Sequence, residues 1–182
     1  MRGLIFLANG FEDCEALLTR DVLIRSGIEI VTSSISTSKD VTSSFNIHLS
    51  ADISIDEVDS KDYDFLVLPG GGKGTMNLKE SSKVDAIIDE FAHDNKLMCA
   101  ICAAPSVLGR KGLLKGKRYT CFAGCQEGEG IFTGNEVEID GNIITARSMA
   151  YSLPFALAII GKLLGNEMID KVLIGLKGQQ VK

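Results

Sequence analysis

The chain has 182 residues, of which 45% are hydrophobic and 24% are charged, and its formal net charge at pH 7 is −5. This composition predicts one packed domain over residues 1–182 and excludes an intrinsically disordered chain. A negative chain without a basic cluster argues against nucleic-acid binding, and no apolar run reaches the roughly 18 residues of a membrane-spanning helix.

The apolar segment Leu4–Ala8 is too short to be the core of a signal peptide. We therefore expect it to form a strand, and we expect the protein to stay in the cytoplasm, where thiols are kept reduced. An odd number of cysteines agrees with free thiols, catalysts or metal ligands rather than disulfides. The five cysteines are Cys14, Cys99, Cys102, Cys121 and Cys125.

Strand and helix patterns alternate from the N-terminus. A strand is predicted over Arg2–Ala8, then a helix over Asp13–Ser26 that Gly27 ends, then a strand over Ile28–Thr32. The alternating apolar residues of Thr42–Ala51 indicate a hairpin or an edge strand with one wet face.

The same alternation continues to the C-terminus. The further predicted elements are strands Phe65–Leu68 and Leu97–Ile101, helices Ser82–Asn95 and Ala103–Gly109, a hairpin of Val137–Ile139 and Ile143–Thr145, and helices Ser152–Leu164 and Glu167–Leu176. No repeat or flexible linker interrupts them. The sequence therefore predicts a single doubly wound α/β domain with a mostly parallel sheet.

Functional groups of an open parallel sheet collect beyond the carboxyl ends of its strands. Three candidates fall there: Glu15 near the start of the first helix, the glycine loop 70–74, and Cys102. They come from separate segments of the chain. We expect the topology to bring them together at one edge of the sheet.

Cys102 lies where a predicted strand meets a helix, among small residues that a sharp turn tolerates. The nucleophile elbow of hydrolases has this arrangement. A helix N-terminus beside the sulfur would favour the thiolate, so the pattern indicates a nucleophile. A buried structural cysteine is the alternative, because free cysteines are among the most buried residues.

The loop after strand Phe65–Leu68 lacks the spacing of a phosphate-binding loop and does not open directly onto a clear helix. Its backbone N–H groups could instead bind a substrate oxygen, or it could be a plain tight turn. Glu12 and Asp13 are explained by the helix dipole, whereas Glu15 lies one turn further in and could face the sheet edge.

The cysteine spacing also allows a zinc-ribbon hypothesis, with Cys99, Cys102, Cys121 and Cys125 as ligands. Strand residues between the first two cysteines argue against it, and against a thioredoxin-like dithiol, so we expect no metal. Neither of the two histidines, His48 and His93, follows the elbow in sequence. A cysteine peptidase or a class I amidotransferase would need such a base.

Four motifs together resemble the DJ-1 branch of the ThiJ/PfpI superfamily. They are Ala100–Pro105, which matches the elbow A-I-C-A-[GA]-P, and the segments Glu12–Glu15, Leu68–Gly71 and Asp140–Arg147. The motifs keep their order and spacing over nearly the whole chain. The resemblance implies a flavodoxin-like sandwich, a homodimer and a cysteine that oxidises readily to the sulfinic acid.

The resemblance also implies a site. Cys102 would be the nucleophile and Glu15 the carboxylic acid bonded to its sulfur, while backbone N–H groups of Gly70, Gly71 and Ala103 would bind the substrate oxygen. The implied activity needs no cofactor and acts on small carbonyl compounds such as methylglyoxal or glyoxal, or on their early adducts. A redox sensor or a chaperone-like stress protein is the alternative.

Three positions depart from the branch. Many relatives carry a histidine near the nucleophile, where this chain has Ala103 and Phe122. Phe122 cannot transfer protons, which makes peptidase chemistry unfavourable and leaves Glu15 as the proton carrier. Phe45 replaces an arginine of some relatives, so an anion contact in the hairpin is not expected.

Overall fold

Strands and helices alternate along the chain in the computed structural model, which describes residues 1–179. Residues 180–182 of the predicted 1–182 domain lie outside the described residues. The strands are β1 (Arg2–Leu7), β2 (Glu29–Ser34), β3 (Asp40–Thr42), β4 (His48–Ser50), β5 (Ile53–Ser54), β6 (Phe65–Leu68), β7 (Leu97–Ile101), β8 (Arg118–Tyr119), β9 (Ile131–Phe132), β10 (Val137–Asp140) and β11 (Ile143–Ala146). The α-helices are α1 (Asp13–Arg25), α2 (Gly72–Glu80), α3 (Ser82–His93), α4 (Pro105–Arg110), α5 (Ser152–Leu164) and α6 (Asn166–Leu176).

Seven strands form one sheet in the order β10-β11-β7-β6-β1-β2-β5. All neighbours pair in parallel except β10 and β11, which form the predicted antiparallel hairpin. The predicted doubly wound α/β fold with a mostly parallel sheet is confirmed. The segment Thr42–Ala51 belongs to the antiparallel hairpin of β3 and β4 outside this sheet, as one of the two predicted alternatives has it.

Helices cover both faces of the sheet, and successive residues of β1 point to opposite faces. Leu4 and Phe6 pack with α2, α3 and α4, whereas Ile5 and Leu7 pack with α1, α5 and α6. All four side chains are at most 1% exposed. Within residues 1–179, no helix combines the length and the apolar character needed to cross a membrane.

The order of the strands sets the position of the candidate site. β1 pairs with β2 on one side and with β6 on the other, so the chain reverses its direction of winding between β1 and β6. Ligands of open α/β sheets bind in the crevice at such a switch point. β7 lies next to β6, and the loops that follow these three strands therefore meet at the same edge.

Two predicted boundaries were wrong near this edge. The glycine loop does open directly onto a helix, because α2 begins at Gly72. The sequence did not indicate this helix because Gly72 and Gly74 are poor helix formers. The helix buries Thr75 and Leu78. α4 begins at Pro105 rather than at Ala103, since residues 102–104 form a turn first.

Candidate active site

Cys102 occupies a strained turn directly after β7. Its φ angle is +63°, in the left-handed region that costs a residue with a side chain roughly 1–2 kcal/mol. Two long-range hydrogen bonds hold it there: its N–H donates to the Ala146 carbonyl at 2.9 Å, and its carbonyl accepts from the Phe122 N–H at 2.7 Å. The backbone of the predicted nucleophile is therefore fixed, and its side chain remains partly exposed.

Glu15 reaches the same edge from the first turn of α1. Glu12 caps this helix by accepting a hydrogen bond from the Glu15 N–H at 2.7 Å. The Glu15 side chain is fully buried, and its Oε2 accepts from the Gly70 N–H at 2.8 Å. Oε1 receives no hydrogen bond from an N–H or O–H group, and the Cys102 thiol is the remaining donor beside the carboxyl.

The glycine loop lies between these two groups. A Cβ atom placed on Gly70 would be 2.6 Å from Oε2 of Glu15 and 2.8 Å from Cβ of Cys102. Gly71 has a φ angle of +91°, and a Cβ atom there would lie 2.3 Å from the Gly10 carbonyl oxygen. Both positions therefore require glycine, because only glycine allows this close approach.

Two of the three predicted N–H donors lie beside the sulfur. The backbone N–H groups of Gly71 and Ala103 are close enough to the Cys102 sulfur to lower its pKa. The expectation for Gly70 is wrong, because its N–H is directed to the Glu15 carboxyl instead of toward a substrate oxygen. Gly70 thus positions the acid, and Gly71 and Ala103 are left to bind negative charge at the nucleophile.

Burial sets the protonation of the pair. It raises the pKa of Glu15 to about 7, although hydrogen bonds from Cys102 and Gly70 lower this pKa in part. Burial also raises the pKa of Cys102, and the nearby carboxylate of Glu15 raises it further, whereas the N–H groups of Ala103 and Gly71 lower it. These two N–H groups therefore favour the thiolate, while burial and the Glu15 carboxylate oppose it.

The position of one proton, on Glu15 or on Cys102, therefore decides whether the pair contains a thiolate. A carboxylate and an adjacent thiolate repel each other, so at most one of them is charged at neutral pH. Transfer of the thiol proton to the Glu15 carboxylate gives a Cys102 thiolate beside the N–H groups of Gly71 and Ala103. The pair can then act as a nucleophile with an adjacent acid whose pKa of about 7 suits proton transfer in both directions.

Stability should depend on pH through Glu15. Its pKa of about 7 in the folded protein lies above the ordinary value of 4.5, so folding favours the protonated acid. This contribution is fully present below the ordinary pKa and is lost as the pH rises through 7. Between about pH 5 and pH 8 the free energy of unfolding should fall by roughly 2–3 kcal/mol more in the wild type than in Glu15→Gln. Urea titrations of both proteins measure this, and equal pH dependence would contradict it.

The histidines lie away from the pair. His48 hydrogen-bonds to the Thr42 hydroxyl in the β3–β4 hairpin, and His93 at the end of α3 pairs with Asp94. Phe122 has an exposed side chain next to the elbow, and Phe45 is 75% exposed. Glu15, whose carboxyl lies beside the Cys102 side chain, therefore stays the predicted acid–base partner.

The zinc-ribbon alternative finds no geometric support. Cys99 is fully buried inside β7, where burial raises its pKa well above that of a free thiol. Among the side chains of residues 1–179, no group of three or more histidines, cysteines or acids converges on a possible metal position.

Sequence reasoning missed the backbone partners of the elbow. The Ala146 carbonyl and the Phe122 N–H hold Cys102 from positions 44 and 20 residues further along the chain. Backbone groups carry no residue-specific signal. Only the parallel pairing of β7 with β11, which places Ala146 beside Ile101, could have indicated the first of them.

Comparisons with known proteins identify the family of the chain. The model of the DJ-1/PfpI family matches residues 1–162. Protein DJ-1 homolog B of Arabidopsis thaliana is 39% identical over 90% of this chain, which spans 38% of that protein's length. Protein dj-1beta of Drosophila melanogaster is 33% identical over 96% of this chain and 95% of its own.

Further similarity extends to a named enzyme and to solved structures. A deglycase of Thermococcus kodakarensis is 30% identical over 81% of this chain and 90% of its own. The crystal structure of Drosophila melanogaster DJ-1beta has a TM-score of 0.92 and covers 97% of each chain at 33% identity. A DJ-1 superfamily protein of Salmonella typhimurium has a TM-score of 0.91 and covers 99% of each chain, also at 33% identity. Because the family model matches residues 1–162, which are most of the chain, the chain belongs to the DJ-1/PfpI family.

Proposed function

We propose that this protein is a cofactor-independent cysteine enzyme that acts on reactive dicarbonyl compounds, such as methylglyoxal and glyoxal, or on their early adducts. The observation that carries the proposal is the contact between a buried acid, Glu15, and a partly exposed cysteine, Cys102, beside two peptide N–H groups. The family includes a protein named a deglycase, which supports carbonyl substrates for this chain.

The first step joins sulfur to carbon. With the proton on Glu15, the Cys102 thiolate attacks the aldehyde carbon of methylglyoxal, and the electron pair of the C=O bond moves to oxygen. The N–H groups of Gly71 and Ala103 lie beside that sulfur and stabilise the developing negative charge. Glu15 gives its proton to the oxygen, which leaves a hemithioacetal and a carboxylate.

The second step moves hydrogen between the two carbons. The Glu15 carboxylate removes the proton from the former aldehyde carbon, and the resulting enediol is reprotonated at the neighbouring carbon. This gives a thioester, so the aldehyde carbon is oxidised while the ketone carbon is reduced. Water then cleaves the thioester and releases lactate and the free thiol. The sum is methylglyoxal plus water to lactate, with no external oxidant or reductant.

Lactate formation tests the proposal. Wild-type protein incubated with methylglyoxal should produce lactate above the buffer background, and Cys102→Ser should produce none above that background. Cys14→Ser is the matched control, because Cys14 is an exposed cysteine on α1, and it should retain wild-type turnover. Absence of lactate with the wild type, or its persistence in Cys102→Ser, would refute the enzyme assignment.

Redox sensing is the second candidate, and a specific observation favours it as well. The Cys102 sulfur is partly exposed, and the acid and N–H groups around it could bind the oxygens of a sulfinate. A sensor needs oxidation of Cys102 but no turnover of carbonyl compounds. The lactate assay therefore separates the two candidates. Peptidase activity is the least favoured, since no histidine hydrogen-bonds to the sulfur.

The proposal includes a homodimer in the cytoplasm. The sequence resemblance implies the dimer, and apolar side chains exposed on neighbouring elements support it: Phe45 and Ile47 after β3, and Leu18 on α1. The reducing compartment is supported by five cysteines that are all free thiols.

A further inference from the structure

A buried side chain joins the two segments that hold the backbone of Cys102. Ala146, whose carbonyl accepts from the Cys102 N–H, ends β11, and Phe122, whose N–H donates to the Cys102 carbonyl, follows β8. Next to these contacts, the Thr120 N–H donates a hydrogen bond of 2.9 Å to the hydroxyl oxygen of Thr145. Thr145 directly precedes Ala146, and Thr120 lies shortly before Phe122. The three hydrogen bonds therefore close a ring around the elbow.

The contact at Thr145 takes the place of a backbone ladder. Within residues 1–179, β8 pairs with β9 in a separate two-stranded sheet and not with β11. Two N–H groups at β8 donate instead to side chains of the β10–β11 hairpin. The Arg118 N–H donates to a carboxylate oxygen of Asp140 at 2.8 Å, and the Thr120 N–H donates to Thr145. The second contact is the one that lies nearer to the elbow.

Burial makes the Thr120 N–H dependent on this acceptor. Thr120 and Thr145 are both fully buried. A backbone N–H that loses its partner in such a place has no water to turn to, so the loss is costly unless the chain moves. The Thr120 hydroxyl already donates to the Asn135 carbonyl at 2.7 Å. Removing the Thr145 hydroxyl should therefore displace the segment that leads to Phe122.

Phe122 in turn fixes the peptide group beside the sulfur. The Cys102 carbonyl, which accepts from the Phe122 N–H at 2.7 Å, belongs to the same peptide group as the Ala103 N–H. That N–H lowers the pKa of Cys102. A peptide group is planar and turns as one unit, so releasing its carbonyl lets its N–H turn away from the sulfur.

We propose that Thr145 is a positioning residue for Cys102: its hydroxyl holds residues 120–122 against β11, and these residues hold the peptide group between Cys102 and Ala103 in the orientation that stabilises the thiolate. Thr145 acts through the backbone and not by contact with a substrate, because its side chain is fully buried. The inference rests on the proposed role of Cys102 as the reacting residue, and it applies to an enzyme and to a redox sensor alike.

Alkylation of Cys102 tests the inference without carbonyl turnover. In Thr145→Val, where a methyl group replaces the hydroxyl, the rate of labelling by iodoacetamide should fall by at least about 10-fold, because a hydrogen bond to a charged atom is weakened. The curve of labelling rate against pH should move to higher pH by about one unit or more, since one unit corresponds to a tenfold change in thiolate. Thr145→Ser keeps the hydroxyl and should restore most of the rate. Mass spectrometry measures the labelling of each cysteine.

Thr32→Val is the matched control. Thr32 is buried in β2, which β1 and β6 separate from β7, and its hydroxyl donates to Asp52 at 2.7 Å. This variant therefore also loses a buried hydroxyl and should be less stable than the wild type, but the labelling rate of Cys102 should stay unchanged. Cys99 is fully buried in β7 and should remain unlabelled in every folded variant, so its labelling reports unfolding.

Wild-type labelling of Cys102 in folded Thr145→Val would overturn the inference, and so would an equal loss in Thr32→Val. If Thr145→Val does not fold, Thr145→Ala removes the hydroxyl without putting a methyl group in its place, and the same outcomes decide. Should the wild type form no lactate while the labelling shift appears, the enzyme assignment fails and the positioning role stands. Normal lactate formation with unshifted labelling refutes the positioning role alone.

Discussion

Replacing Glu15 by glutamine should lower carbonyl turnover by about 10²–10⁴-fold, while Cys102 remains reactive toward alkylating agents. Glutamine keeps the shape and can still donate a hydrogen bond to the sulfur, but it cannot take up a proton. It also removes the negative charge that raises the pKa of Cys102, so the thiolate should be no less accessible at neutral pH. Lactate formation and the rate of iodoacetamide labelling measure the two effects separately.

Two further variants sharpen this prediction. Glu129→Gln changes an acid that is 73% exposed and pairs with Lys115, and it should behave as the wild type in both assays. Glu15→Leu removes the hydrogen-bond donor as well as the base, so labelling should be slower than in Glu15→Gln. Wild-type turnover by Glu15→Gln would mean that another group carries the proton.

Replacing Gly70 by alanine should lower turnover by at least about 10²-fold, since a displacement of about 1 Å at reacting groups has effects of this size. The new methyl group would be 2.6 Å from Oε2 of Glu15 and 2.8 Å from Cβ of Cys102, and it must push the two groups apart. Such overpacking costs about 1–3 kcal/mol of stability. Steady-state kinetics and urea denaturation measure the two effects.

The matched control is Gly175→Ala, at an exposed glycine of α6. Its added methyl group meets no atom within 4 Å, and in a helix alanine is favoured over glycine by roughly 1 kcal/mol. We expect full turnover and equal or higher stability from this variant. Should Gly70→Ala keep both wild-type turnover and wild-type stability, the close packing of Glu15 against Cys102 described here would be incorrect.

The sequence predicts the meeting of Glu15, Cys102 and the glycine loop for a topological reason. Each of them follows or faces the carboxyl end of β1, β6 or β7, and the apolar runs of these strands are easily recognised. Parallel neighbours then bring the loops to one edge regardless of side-chain detail. Knowing the strand order is enough to place the candidate site.

The direction of single peptide groups cannot be obtained in this way. The N–H of Gly70 points to Glu15, whereas the N–H of Gly71 lies beside the sulfur. This difference depends on the backbone dihedral angles of Gly70, which lies between the two peptide groups. Glycine permits that conformation but does not impose it, so residue type alone assigns all the loop N–H groups the same role.

Protonation also lies beyond sequence reasoning. The strand-to-helix junction at Cys102 suggests a favourable helix N-terminus, but α4 begins three residues later at Pro105. Burial then dominates the pKa of both partners. Burial is a property of the assembled core, and it emerges only when α1 is packed against the sheet.

The two hydrogen bonds that hold the backbone of Cys102 have a consequence for the order of folding. The elbow joins residue 102 to residues 122 and 146, and its acid comes from residue 15. Contacts of such long sequence separation close large loops, and their entropic cost makes them form slowly. A chain still emerging from the ribosome therefore carries a thiol at position 102 that is not yet beside Glu15. The arrangement of the two groups belongs to the completed molecule, and a change in the labelling rate of Cys102 during refolding would report the last stage of assembly.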